Sequence, residues 1–234
     1  MRCCSNWCCD AELEGADMMA ATAMEPAFRL EEPQQSLTEQ ALLAASHLAT
    51  TQTATRFRAL IRRAQGARLG LELDLSEGAT AFIVQVGPGA VADYNSRNNG
   101  PSGTVEPGDV IMGVNGCSGN VDEMIQHLQS DEDLALDMLR PQYVKVSIPE
   151  GDTCLGLDVL FAPRGVTLLV DKIAPGMVEN FNRSNKENGI DSEVRVKDRI
   201  VSVNGKVVGK EGPSSLLEVL HQPGGKELLL LRVD

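Results

Sequence analysis

After its first quarter, this 234-residue chain says nearly the same thing twice. Leu69-Gly70-Leu71-Glu72-Leu73 returns as Leu155-Gly156-Leu157-Asp158-Val159. Pro88-Gly89-Ala90-Val91 with Tyr94-Asn95 returns as Pro175-Gly176-Met177-Val178 with Phe181-Asn182. Asp109-Val110-Ile111-Met112-Gly113-Val114-Asn115-Gly116 returns as Asp198-Arg199-Ile200-Val201-Ser202-Val203-Asn204-Gly205. The offsets are 86, 87 and 89 residues. That period exceeds a solenoid unit and fits two small domains in tandem.

The coarse pattern inside each copy is the same. Phe57 to Arg62 and Tyr143 to Ile148 read as opening strands, each followed by a loop containing glycine. Second strands run from Leu71 to Leu75, with Leu71, Leu73 and Leu75 on one face, and from Leu157 to Phe161. Ala81 to Val86 and Val166 to Ile173, rich in branched residues, read as buried strands. Asp109 to Val114 and Asp198 to Val203 run into Asn-Gly, a tight-turn signal. A helix follows, Val121 to Leu128 or Pro213 to Leu220, and then a last strand, Leu134 to Leu139 or Leu228 to Val233. Val121, Ile125 and Leu128 form one apolar stripe, and Pro213 suits a first helical turn. The expected fold is mainly β (α+β): two partly open barrels, each with one main helix and a short one near Ala90 or Met177.

Charge narrows the partners. With 21 Lys+Arg against 33 Asp+Glu the net charge is -12, which repels phosphate backbones. Aromatic residues make up only 3%, too few for base-stacking platforms, so no nucleic-acid partner is expected. No apolar run is long enough to span a bilayer, and Asp10, Glu12, Glu14 and Asp17 interrupt any secretory h-region. A cytoplasmic protein with reduced cysteines is expected. Residues 1–55 hold eight acids against two bases and show no strand-like alternation. They read as a disordered acidic tail, with a capping box at Ser36-Leu37-Thr38-Glu39 as the best helix signal.

In order and motif, each copy resembles a PDZ domain. The resemblance covers roughly residues 56–234 and rests on Leu-Gly-Leu joined to Val-Asn-Gly, in duplicate. It divides the chain into a first domain at 56–140 and a second at 143–234. Gly108-Asp109 fits the family's turn before the fourth strand, while the second copy has Lys197-Asp198.

The resemblance implies binding of the free C-terminal tails of other proteins, with an extended peptide adding as a strand beside the second strand and main helix. The loop at Gly70 would make an amide nest for the terminal carboxylate. The site residues it implies in the first copy are Arg68, Leu69, Gly70, Leu71, Leu73, Val121, Ile125 and Leu128. In the second they are Leu155, Gly156, Leu157, Val159, Pro213, Leu217 and Leu220. Members with His at the first helix position favour a hydroxyl on the ligand's third-last residue. Val121 and Pro213 stand there, so apolar last and third-last ligand residues are expected.

Arg62, Arg63 and Arg68 lie near the first carboxylate loop in sequence, whereas Glu150 and Asp152 precede the second. The first copy is therefore expected to bind more tightly. Only Pro141 and Gln142 separate Arg140 from Tyr143, so the pair is expected to keep a restricted orientation.

Cys3, Cys4, Cys8 and Cys9 crowd the N-terminus around Trp7. Paired cysteines there resemble palmitoylated N-termini, and several acyl chains would anchor the chain to the cytoplasmic face of a membrane. Metal or redox binding is the rival, although adjacent cysteines make awkward tetrahedral ligands; inert thiols are the third reading. Arg2 excludes myristoylation. Cys117 and Cys154 read as packing or loop residues and the histidines as solvent-facing. A calcium loop over Asn95 to Glu106 fails because Arg97 occupies a ligand position. No motif calls for a cofactor or metal, and no nucleophile elbow occurs.

A non-catalytic adaptor is the leading expectation. The alternative is a regulatory, substrate-binding module of a PDZ-containing protease whose catalytic part is a separate subunit. The terminal Asp234 suits an apolar pocket poorly, which disfavours capture of the chain's own end.

Overall fold

A computed structural model describes residues 53–98, 103–151, 154–162, 165–208 and 212–233. The N-terminal cysteines, the capping-box segment and Asp152 lie outside these. The first half contains β1 (Thr55–Arg62), β2 (Leu71–Asp74), β3 (Ala81–Val86), α1 (Ala90–Arg97), β4 (Val110–Val114), β5 (Cys117–Ser118), α2 (Val121–Ser130) and β6 (Asp133–Arg140). The second repeats them as β7 (Gln142–Ile148), β8 (Leu157–Leu160), β9 (Leu168–Ile173), α3 (Met177–Glu187), β10 (Arg199–Val203), β11 (Lys206–Val207), α4 (Ser214–His221) and β12 (Lys226–Arg232).

Each half forms one antiparallel six-stranded sheet, in the order β1-β6-β4-β3-β2 or β7-β12-β10-β9-β8, with the short β5 or β11 pairing off β4 or β10. This is the mainly β, twice-repeated architecture expected, with two helices per unit; in the second unit, however, the helix expected to be short, α3, runs 11 residues and outlasts the 8-residue α4. The other differences are local, with β8 ending at Leu160 before Phe161 and β9 starting at Leu168 rather than Val166. Leu75 falls after β2 and is exposed, because the register shifts between Glu72 and Leu73 and the strand ends at Asp74. The two-residue strands β5 and β11 carry too little pattern to be read from sequence.

The recurring polar residues are structural. Asn115 and Asn204 take positive φ (51° and 50°), as do Gly116 and Gly205, which is what a two-residue hairpin of the primed type requires. Each asparagine also accepts from an amide of the last strand through Oδ1, Ala135 or Glu227, at 2.7 Å. Asp109 accepts two bonds from Arg140 (2.8 and 2.9 Å), and Asp198 two from Arg232 (2.9 and 2.7 Å). Asn95 and Asn182 exchange a bond pair with Val105 and Val194, pinning the loop after the short helix. The Lys197 departure leaves the turn intact. Lys197 takes φ 74° where Gly108 takes 95°, and each donates to the preceding strand at 2.8 Å.

Alternation along the strands builds three cores. In β3, Ala81 and Ile83 face the first half's own core, which also takes Ile111, Met124, Leu128, Leu136 and Met138. Ile200, Leu216, Leu228 and Leu230 anchor the second. The other faces meet each other: Phe82, Val84, Val110 and Leu139 pack with Val201, Leu229 and Leu231 in a shared cluster. These seven side chains bury one face of each sheet against the other, so the short link at Pro141 is matched by a packed interface.

Candidate functional site

The loop before β2 turns its carbonyls inward. Arg68 O accepts from Ala90 N (3.0 Å), Leu69 O from Val91 N (3.1 Å) and Gly70 O from Gly87 N (2.8 Å). The second copy repeats this bond for bond: Cys154 O from Met177 N, Leu155 O from Val178 N and Gly156 O from Ala174 N, at 2.9, 3.1 and 3.0 Å. With the carbonyls committed, the amides of Leu69, Gly70, Leu155 and Gly156 donate to no acceptor among the described residues. Adjacent unspent N–H groups in a turn form an anion-receiving nest.

Glycine is required on both sides of this loop. Gly70 has φ +83°, and a Cβ there would lie 2.6 Å from Gly87 O. Gly89, from the Pro-Gly turn, backs onto it: its Cβ would stand 2.7 Å from Arg68 O and 2.8 Å from Gly70 N. Gly176 makes the same approach to Cys154 O and Gly156 N. The Pro-Gly repeat is thus half of the nest, a role that sequence reading left to Gly70 and Gly156 alone.

Beside each nest lies a strand edge with no partner among the described residues. Among these, β2 bonds only to β3 and β8 only to β9, each ending its sheet. Leu69, Leu71, Leu73 and Ile125 are half-buried against the first core, and Leu155, Leu157, Val159 and Leu217 against the second. Along α2 the positions Val121, Met124 and Leu128 are buried and Ile125 is half-buried; Pro213, Leu216, Leu220 and Leu217 show the same sequence in the second copy. Of the residues named for the grooves, Leu71 and Leu73 lie on β2 and Leu157 and Val159 on β8, Arg68, Leu69, Gly70, Leu155 and Gly156 in the loops just before them, and the others along α2 and at the start of or along α4. Pro213 already has helical dihedrals (φ -62°, ψ -22°), and its carbonyl accepts from Leu216 N. Asn120 starts α2 by accepting from Asp122 N and Glu123 N.

The charges near the first loop are spent differently from the sequence expectation. Arg63 fans into the C-terminal end of α2, donating to Leu128 O (3.0 Å), Gln129 O (2.8 Å) and Asp131 O (2.8 Å). It satisfies orphan helix carbonyls and ties the start of the β1–β2 loop to the helix that carries Leu128. Arg62 lies 3.5 Å from Asp133 on the exposed surface. Arg68 is exposed and its side chain has no partner among the described residues. Glu150 is exposed in the second copy.

His127 is partly exposed and lies 2.8 Å from Asp131. Cys117 donates to Glu123 (3.3 Å), and that hydrogen bond pushes its thiol up from the usual value, away from nucleophilic character. Among the described residues no cluster of His, Cys, Asp and Glu could hold a metal, and no helix is long and apolar enough to cross a membrane.

One feature of β2 has no counterpart in β8. Its last residue, Asp74, is 2% exposed and accepts from Arg199 Nη1 of the other half at 2.8 Å. Burial pushes the Asp74 carboxyl up, but the Arg199 charge and the Ser76 amide outweigh it and hold it below the usual carboxylate value. Arg199 also donates to Thr167 (3.1 Å) and stacks over Phe82, 4.3 Å from the ring centroid. Its Nη2 meets no acceptor among the described residues.

No protein-family model matches the chain, and no curated protein matches it. Among solved structures it is similar to INAD PDZ45 in complex with NG2 peptide (14% identity, 80% of this chain and 93% of that chain, TM-score 0.31). It is also similar to INAD PDZ45 with NORPA CC-PBM (12% identity, 79% and 94%, TM-score 0.34).

Proposed function

We propose that the chain is a non-catalytic adaptor that binds C-terminal peptides of partner proteins by strand addition at β2 and, more weakly, at β8. The observation that carries this reading is the pair of unspent amides at Leu69 and Gly70, set at the end of a free strand edge. A terminal carboxylate would take the amides, the peptide backbone would bond to β2, and the last side chain would enter between Leu69, Leu71 and Leu128. In the second groove Leu155, Leu157 and Leu220 would do the same. Arg68 favours an anionic end at the first groove and Glu150 opposes one at the second, a difference softened by solvent. Val121 and Pro213, which stand where some PDZ domains carry His, have no side-chain group that can bond a ligand hydroxyl. A C-terminal peptide array probed with the protein is expected to select apolar residues at the last and third-last positions. Dominant Ser or Thr at the third-last position would overturn that preference.

Acyl chains on Cys3, Cys4, Cys8 and Cys9 would hold this adaptor at the cytoplasmic face of a membrane. Acyl-exchange labelling should then be strong in the wild type and lost when the four cysteines are changed to Ser. Equal labelling of both proteins refutes the tether.

A further inference from the structure

We propose that Asp74 is a positioning residue for the first groove, holding the ligand-adding strand β2 through Arg199 of the other half. The inference rests on reading that groove as a peptide site. Asp74 is the last residue of β2, the strand whose free edge would receive the ligand. Asp74 and Arg199 are 1% and 4% exposed at their side chains and 2.8 Å apart. Outside the buried pair, Lys197 Nζ reaches Glu77 Oε1 at 3.0 Å, so a second bond crosses the interface just beyond the end of β2.

The asymmetry lies in the repeat itself. Counting from Gly70 and Gly156, Asp74 corresponds to Leu160, and counting from Gly116 and Gly205, Arg199 corresponds to Val110. Two charged departures from the duplicated pattern have met each other across the interface. Leu160 is 44% exposed, and the following Phe161 is 42% exposed, so the equivalent end of β8 is not held in this way. A strand fixed at its far end loses less freedom when a ligand pairs with it, and preorganisation of this kind appears as affinity. Removing the anchor therefore acts on the first groove and spares the second.

Two full-length variants test this, Asp74→Asn and Arg199→Lys. The second keeps the positive charge but loses the planar stack on Phe82 and is the fallback if the first does not fold. Hydrogen exchange is read on β2 and β8 without ligand, and an apolar C-terminal peptide is titrated while following the amides of Gly70 and Gly156. The expected result is exchange over Leu71–Asp74 about tenfold faster, with β8 unchanged. Peptide affinity should weaken about fivefold at Gly70 and stay constant at Gly156. Wild-type exchange over β2 in a folded variant, or an equal rise in β8, overturns the inference. If the wild type takes no peptide at Gly70, the adaptor reading falls, while the exchange measurement still decides whether Asp74 anchors β2.

Discussion

Gly89 and Gly66 separate two reasons for a glycine. Gly66 has φ +74° and open space where a Cβ would go, so alanine there meets only the left-handed backbone penalty, roughly 1–2 kcal/mol. At Gly89 a Cβ would strike Arg68 O and Gly70 N of the nest at 2.7 and 2.8 Å. Nothing flexible is available to yield, because both contacts are backbone. Gly89→Ala should destabilise the protein by about 1–3 kcal/mol and remove peptide binding at the first groove. Gly66→Ala should leave binding intact. Thermal melts with peptide titration read both effects; a Gly89→Ala protein that binds like wild type would show that the nest does not depend on this approach. In sequence Pro88-Gly89 is only part of a repeated segment; what lies behind the glycine is visible in three dimensions alone.

Among the elements, legibility followed pattern length. The alternation of β1 and β6 and the stripe of α2 were readable because each offers several repeats of its period, and their bounds differ by only one or two residues from expectation. β2 was harder. Its three leucines suggested one continuous face, yet the register shift after Glu72 and the burial of Asp74 end the strand before Leu75. The duplicated Tyr94-Asn95 and Phe181-Asn182 were visible as repeats without a reason; the reason is the asparagine bond pair that pins a distant loop. In sequence Arg63 is only a charge near the nest. Its three carbonyl partners lie 65 to 68 residues ahead, a distance at which no local spacing rule operates.

For the whole molecule, the restricted orientation expected from a two-residue link has a deeper cause in the shared core. Phe82 and Leu229 look like ordinary strand residues in sequence, and nothing local says that their face meets a second sheet. The one available signal was the pair of charged breaks in the repeat, Asp74 against Leu160 and Arg199 against Val110. Tyr143 lies beside this core, and burial, with the nearby Asp109 and Glu106 charges, pushes its hydroxyl up to about 12. Because the folded protein keeps that proton longer than the unfolded chain, stability is expected to fall as pH rises from about 10 through 12.

The amide resonances of Leu69 and Gly70 give the most direct reading of what the nests receive. A peptide with an apolar last residue and a free carboxylate is titrated into the full chain, alongside the same peptide ending in a carboxamide. The free acid should shift both amides saturably, with Gly156 following at higher concentration, and the carboxamide should leave them in place. Equal shifts with both peptides, or none at Leu69 and Gly70, would contradict carboxylate capture at these turns.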